Sequence, residues 1–340
     1  MNKHKLSLFA AVLSILILLA PATALATGRI WTGGGDGSSW GQASNWDFGV
    51  PSDGWAVAIN GDAFTNSSSP ELNNDLSDFQ ASDLIFTGSP ESVSLAISGN
   101  DLHIISTITD NSTGLAFDKD IDLNIIADSD LSVTNNDGGV MTFYDSLSLG
   151  SHNLTFNPNG NSNIIFASDL LGDGSGRVTF AGNSVEGTTL NANGDVEHPI
   201  QDPATVTGNL YSFGASFNKL TVNHGGLLQL ATDLCNTSKR FKSRGTLYAV
   251  LGGTSACSGY GQLRVHGAVD IRDSKLVIGW TSRPKINHQY VIVKNDGSDS
   301  IKGTFKFHKE GRTFSVTGLK FKLNYHGGTG HNDIVLTRIK

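Results

Sequence analysis

Short alternating runs recur from residue 84 to residue 190, and they restrict the fold more than any other feature of the chain. They read Val93-Ser-Leu95-Ala-Ile97, Leu102-His-Ile104, Ile121-Asp-Leu123-Asn-Ile125, Leu131-Ser-Val133, Met141-Thr-Phe143, Leu147-Ser-Leu149, Leu154-Thr-Phe156 and Val178-Thr-Phe180. Alternation sends the apolar members to one face of a strand and the polar members to the other. Runs this short, broken by Asn, Gly and Asp, do not make a large sandwich. They fit successive faces of coils in a β-solenoid, where each coil buries the apolar face of its neighbour. The spacing is irregular, but no long amphipathic helix pattern competes with it. The pattern returns from Phe217 in Leu220-Thr-Val222, Leu227-Leu-Gln-Leu230, Leu247-Tyr-Ala-Val250, Leu263-Arg-Val265 and Leu276-Val-Ile278.

With 340 residues the chain is long enough for two ordinary domains or one extended repeat structure. Hydrophobic residues make up 38% and are spread along it, which excludes a disordered composition. Forty glycines against 8 prolines, with charge at 16%, suit β-structure with many turns. The first residues form a leader. Lys3 and Lys5 supply the positive end, Leu6 to Leu19 the apolar run and Ala24-Leu25-Ala26 the small residues of a cleavage site. The mature chain is expected to begin near Thr27. No other stretch approaches the ~20 apolar residues of a membrane span. The expected division is a signal peptide at 1–26, a Trp-rich N-terminal cap at 27–60, a solenoid body at 61–289 and a C-terminal β cap at 290–340. The expected location is secreted or at the surface of a bacterium, or in its periplasm.

The charge is unevenly placed. Residues 1–208 hold 5 of the 24 Lys and Arg and 24 of the 31 Asp and Glu, a net of −19. Residues 209–340 hold the other 19 cations and 7 carboxylates, a net of +12. This asymmetry suggests charge-driven self-association or an anionic surface as partner, weighed against faces that are merely solvated. Two cysteines, Cys235 and Cys257, are an even count in an oxidising compartment and point to one disulfide.

Several clusters invite a chemical interpretation. Four tryptophans, Trp31, Trp40, Trp46 and Trp55, lie among turn residues. Their large apolar area favours a plug over the first coil, and a carbohydrate platform built on Trp40 and Trp46 is the alternative. Gly37-Ser38-Ser39-Trp40-Gly41 matches the nucleophile-elbow spacing but lacks the strand before it and the helix after it. Asp118, Asp120 and Asp122 share one face of a strand, with Asp128, Asp130 and Asp137 near them in sequence. Calcium is the hard cation that would suit such oxygens, yet neither the EF-hand spacing nor the calcium nonapeptide is present. A lyase working on this face would also need a basic side chain, and residues 30–200 offer only Lys119 and Arg177. Glu197-His198-Pro199 breaks the pattern without making a metal site, and no zinc motif occurs, so no metal is expected. Lys239-Arg240-Phe241-Lys242-Ser243-Arg244 reads as an exposed basic loop or an anion contact, with no specific nucleic-acid signal.

The last stretch reads as turning strands that could close an open β end. It comprises Tyr290-Val-Ile-Val, Gly303-Thr304-Phe305, Glu310-Gly311, Asn324-Tyr325-His326-Gly327-Gly328 and Asn332-Asp333-Ile334-Val335-Leu336-Thr337. This ending resembles that of proteins carrying the autotransporter-associated β-strand repeat. Leu220 to Leu230 is similar to the repeat itself, Gly259-Tyr260-Gly261-Gln262-Leu263 to the coil that often follows, and Trp31 to Trp46 to the usual start. His331 and Phe307-His308-Lys309 depart from the common pattern. The resemblance implies a right-handed parallel β-helix with a capped C-terminal end. It implies a surface structural or adhesive role without catalysis or cofactor, with polysaccharide or other cell-surface macromolecules as partners. The autotransporters of this group continue into a membrane barrel. No strand set for one remains before Lys340, so the resemblance is to a passenger without its translocator. A carbohydrate-active enzyme using Asp118, Asp120 and Asp122, or a glycan-binding protein, is the alternative.

Overall fold

A computed structural model describes residues 28–340, apart from 65–66, 114–116, 137–138, 160–161, 168–169, 174, 183–184, 188–199, 213–214, 233–234 and 297. The leader expected at 1–26, Asp137 and Glu197-His198-Pro199 lie outside the described residues.

The chain winds into a β-solenoid of about nine turns. The first face is a ten-stranded sheet. Its strands run from Glu71–Asn74 through Val93–Gly99, Phe117–Asp122, Val140–Phe143 and Asn163–Phe166, and on to Thr246–Leu251 and Lys275–Trp280. Each pairs in parallel with the strand one coil away. Two further columns make the second and third faces. Leu102–Asp110 serves both: Leu102 to Ile104 pair with Ile125–Ala127, and Thr107 to Asp110 with Leu131–Asn135. The columns continue separately through Leu147–Gly150 and Leu154–Pro158. They rejoin in Ile200–Val206, which pairs along Ser216–Val222, and that strand meets Cys235–Ser238 on the second face and Phe241–Ser243 on the third.

The alternation of the sequence becomes the wall of this tube. Leu131–Asn135 and Leu154–Pro158 are each buried at every second residue. A single coil has too little apolar surface to fold alone, so stacking in register supplies the core. Leu154 sits between Leu131 and Val178, and Phe156 between Val133 and Phe180. Phe156, Phe166 and Phe180 stack face to face at 5.4 to 5.8 Å inside the tube. Burying each such ring contributes roughly 1.5–3 kcal/mol.

Polar groups at two places in the core are held by specific partners. Lys119 and Asp110 are both fully buried and form an ion pair, with the Lys119 ammonium 4.7 Å from the centre of the Phe117 ring. Asn135 is fully buried and donates from its amide to the Gly139 and Asn163 carbonyls, each at 2.9 Å. Outside the same corner the amides of Asn111, Asn136 and Asn159 form a ladder from coil to coil at 2.9 and 2.6 Å.

The expected disulfide joins Cys235 to Cys257. It ties the loop before Gln262–Val265 to the start of Cys235–Ser238 and contributes on the order of 3 kcal/mol. Parallel stacking already includes Gly28–Trp31 against Trp55–Asn60. At the other end Gln289–Asn295 pairs in parallel with Gln262–Val265 and antiparallel with Asp333–Arg338. Leu319–Gly327 and Thr313–Val316 extend this antiparallel set. Among the described residues no helix is long and apolar enough to cross a membrane.

Candidate functional site

The outer side of the first face carries the acidic triad. In Phe117–Asp122, Phe117, Lys119 and Ile121 point inward, and Asp118, Asp120 and Asp122 point outward. Asp120 lies between Ala96 of the coil before and Thr142 of the coil after. Asp118 accepts a hydrogen bond from the Val140 backbone N–H at 2.9 Å. Burial pushes the Asp120 carboxyl above its ordinary value. The neighbouring Asp118 and Asp122 charges act in the same direction, and the hydrogen bond from Thr142 opposes them. Burial and the charges of Asp120 and Asp122 also push the half-exposed Tyr144 phenol up.

The triad is strung along the strand. Alternate residues of a strand are ~6.6 Å apart, so Asp118 and Asp122 start ~13 Å apart, whereas calcium draws its oxygens to ~2.3–2.6 Å. Among the described residues no group of three or more His, Cys, Asp or Glu side chains is placed to hold a metal ion.

The structure also separates the acids from the base that a lyase would need. Lys119 stands between Asp118 and Asp120 in sequence, but its side chain is inside the core and bound to Asp110. Arg177 is exposed just before Val178–Phe180, on the third face and not the first.

The tryptophans of the opening segment are placed by one buried asparagine. The Asn45 carbonyl oxygen accepts from the Gly35 and Gly37 N–H groups at 2.8 and 3.1 Å. Its amide donates to Asp36 at 2.7 Å and to the Ser39 carbonyl at 2.9 Å. This loop sets Trp46 edge-on against Trp31 and Trp40, at 5.0 and 5.8 Å between ring centres, and Trp46 donates from its indole to the Trp40 carbonyl. Trp40 is 0% and Trp46 3% exposed, so neither ring presents an open face on which a sugar could stack. Ser39 donates its hydroxyl to Asp36, so the elbow-like spacing is part of this loop.

The basic run 239–244 is split by the fold. Phe241 and Ser243 point inward. Arg244 is held in a two-pronged pair with Asp270 at 2.9 and 3.0 Å, while Lys239, Arg240 and Lys242 are exposed. The buried Lys119–Asp110 pair and the Asn45 hub were not among the sequence candidates. The signal for Lys119 was present, since it occupies an apolar position between Phe117 and Ile121.

No protein-family model, curated protein or solved structure matches this chain.

Proposed function

We propose that this chain is a secreted or surface-associated structural and adhesive β-solenoid of the autotransporter-passenger type, and that it performs no catalysis. One observation carries this proposal. A single apolar core runs from Trp31 to Leu336 through all the coils, and the acids on its outer face line up along a strand instead of converging with a base. In a right-handed β-helix of this kind the Trp-rich opening and the antiparallel closing strands serve as caps, shielding the first and last coils from pairing with other chains. A surface role also accounts for a leader at 1–26. Export of the full chain followed by N-terminal sequencing tests that part, with a mature start near Thr27 as the expected result. The non-catalytic part is tested by incubating the protein with a broad panel of neutral and acidic polysaccharides. Chain length should be unchanged throughout, and any depolymerisation lost on heating the protein would overturn it.

The environment of Asp120 favours a second reading, a carbohydrate-active enzyme. Burial and the charges of Asp118 and Asp122 raise the Asp120 carboxyl, the direction a general acid requires. Turnover that disappears in the triple variant Asp118→Asn, Asp120→Asn, Asp122→Asn would establish that reading in place of the first.

A further inference from the structure

The ridge between the second and third faces brings together basic side chains that are far apart in sequence. Phe217 pairs with Ser238 and Leu220 with Phe241, which sets Lys219 beside Lys239 and Arg240 on the next coil. Ser238 pairs with Val265 and Phe241 with Val269, which adds His266 on the coil after that. Lys219, Lys239, Arg240 and His266 line a cleft of about 720 Å³, together with Asn218 and Asp299. Lys219, Lys239 and Arg240 are all exposed and make no ion pair with any described residue. The carboxylate of Asp299 is the one acidic group in the lining. His266 is exposed, and its Nδ1 contacts the Asp296 carboxylate. Gly267 keeps the wall low, since a Cβ there would meet the Lys239 carbonyl oxygen at 2.8 Å.

Two features define what such a cleft can hold. Its positive charges sit on two neighbouring coils, Lys219 on one and Lys239 with Arg240 on the next, ~4.8 Å further along the solenoid axis. That arrangement complements a linear polymer bearing a negative charge on every unit. The lining contains no Phe, Tyr or Trp. Single-stranded nucleic acids are held largely by stacking of bases on aromatic rings, and that element is missing here.

We infer that this cleft binds a linear carboxylated polysaccharide, laid along the axis with one carboxylate on Lys219 and the next on Lys239 and Arg240. The inference builds on the adhesive reading above in one respect: the polymer is bound and left intact. It assigns the basic half of the molecule a ligand, and the acidic triad on the first face takes no part.

The test uses the full mature chain and a fluorescent oligogalacturonate, with its fully methyl-esterified form as the uncharged control and single-stranded DNA of matched charge as competitor. The charged oligomer is expected to bind, more weakly as salt is raised, and the ester not to bind. Arg240→Ser should weaken binding about tenfold and the triple variant Lys219→Ser, Lys239→Ser, Arg240→Ser roughly a hundredfold. All three positions are exposed, so the melting temperature should be unchanged, and Lys320→Ser with Lys322→Ser, on another part of the surface, should leave binding intact. Equal binding by the triple variant, by the ester or by the competing DNA would overturn the inference. Binding followed by shortening of the oligomer would leave the cleft standing and refute the non-catalytic function, so the two failures are distinguishable.

Discussion

The two ends of the solenoid complete the same core by opposite means. At the front, side chains do the work. Trp31, Trp40 and Trp46 pack edge to face, and the loop that carries them is held by Asn45, Asp36 and the Trp46 indole. At the back, the backbone does it. Gln289–Asn295, Asp333–Arg338, Leu319–Gly327 and Thr313–Val316 are joined by antiparallel ladders, and they carry Phe321, Leu323 and Tyr325 onto the core. A ladder depends on no single side chain, because every residue contributes its own N–H and C=O. The front should therefore be fragile to loss of a single hydrogen-bonding side chain such as Asn45, whereas the exposed positions of the back ladders should tolerate substitution and the set should fail when a whole strand is removed.

The largest effect is expected from deleting residues 290–340. The truncated chain loses the antiparallel set and exposes the edge of Gln262–Val265, besides stripping Phe305, Phe321 and Tyr325 from the core. It should aggregate and lose its cooperative thermal transition. A truncated chain that stays monomeric in sedimentation and melts in one sharp step would show that the back strands are dispensable.

Point substitutions should then separate the ends. Trp40→Ala removes a fully buried ring and is expected to cost about 3–5 kcal/mol in urea unfolding. Asn45→Ala leaves the Gly35 and Gly37 N–H groups without their acceptor and should cost about 2–3 kcal/mol. At the back, the exposed strand substitution Ser315→Ala should stay within about 0.5 kcal/mol. Equal sensitivity at Asn45 and Ser315 would erase the distinction between the ends.

The wall of the tube was readable in the sequence because a strand has a period of two. Every second residue of Leu154-Thr-Phe156 and Val178-Thr-Phe180 points inward, and local alternation is enough to say so. The same period put Asp118, Asp120 and Asp122 on one face, and with the rise of a strand it also implied that they would be spread out. What alternation cannot supply is the partner across a coil. Lys119 occupies an inward position by pattern, but a lone lysine argues for solvent until Asp110 is known to stand opposite it. The ridge cleft was hidden for the same reason. Its cations come from Lys219, Lys239 and Arg240 on adjacent coils, and only the pairing of Leu220 with Phe241 makes them neighbours. The run 239–244 looked like one basic loop because the inward turn of Phe241 and Ser243 requires the strand assignment first.

The smallest effect tests the comparison with protons. At the front, Asp36 accepts from the Ser38 and Ser39 N–H groups at 2.9 Å, from the Ser39 hydroxyl at 2.7 Å and from the Asn45 amide at 2.7 Å. These bonds, that from Ser38 first, hold its carboxyl well below the usual carboxylate range. At the back, burial pushes Asp333 up, with the Asn295 N–H and the Lys294 charge only partly offsetting it. The signs follow from linkage. A depressed group lends stability above its unfolded value, about 3.9 for Asp, and loses it as pH falls through the folded value. A raised group lends stability that is complete below the unfolded value and is lost as pH rises through the folded one. Acidifying from neutrality toward about pH 4 should thus favour the back end while leaving the front untouched, and further acid should weaken the front. Asp333→Asn keeps an oxygen for the Asn295 N–H and removes the buried charge. Its melting temperature should exceed that of the parent chain at neutral pH, and the gap should close on acidification. Asp36→Asn should melt below the parent at neutral pH, and its deficit should shrink only once the pH falls below about 4. If both variants shift in the same direction at neutral pH, the two ends are not electrostatic opposites, and their difference is confined to how the backbone is paired.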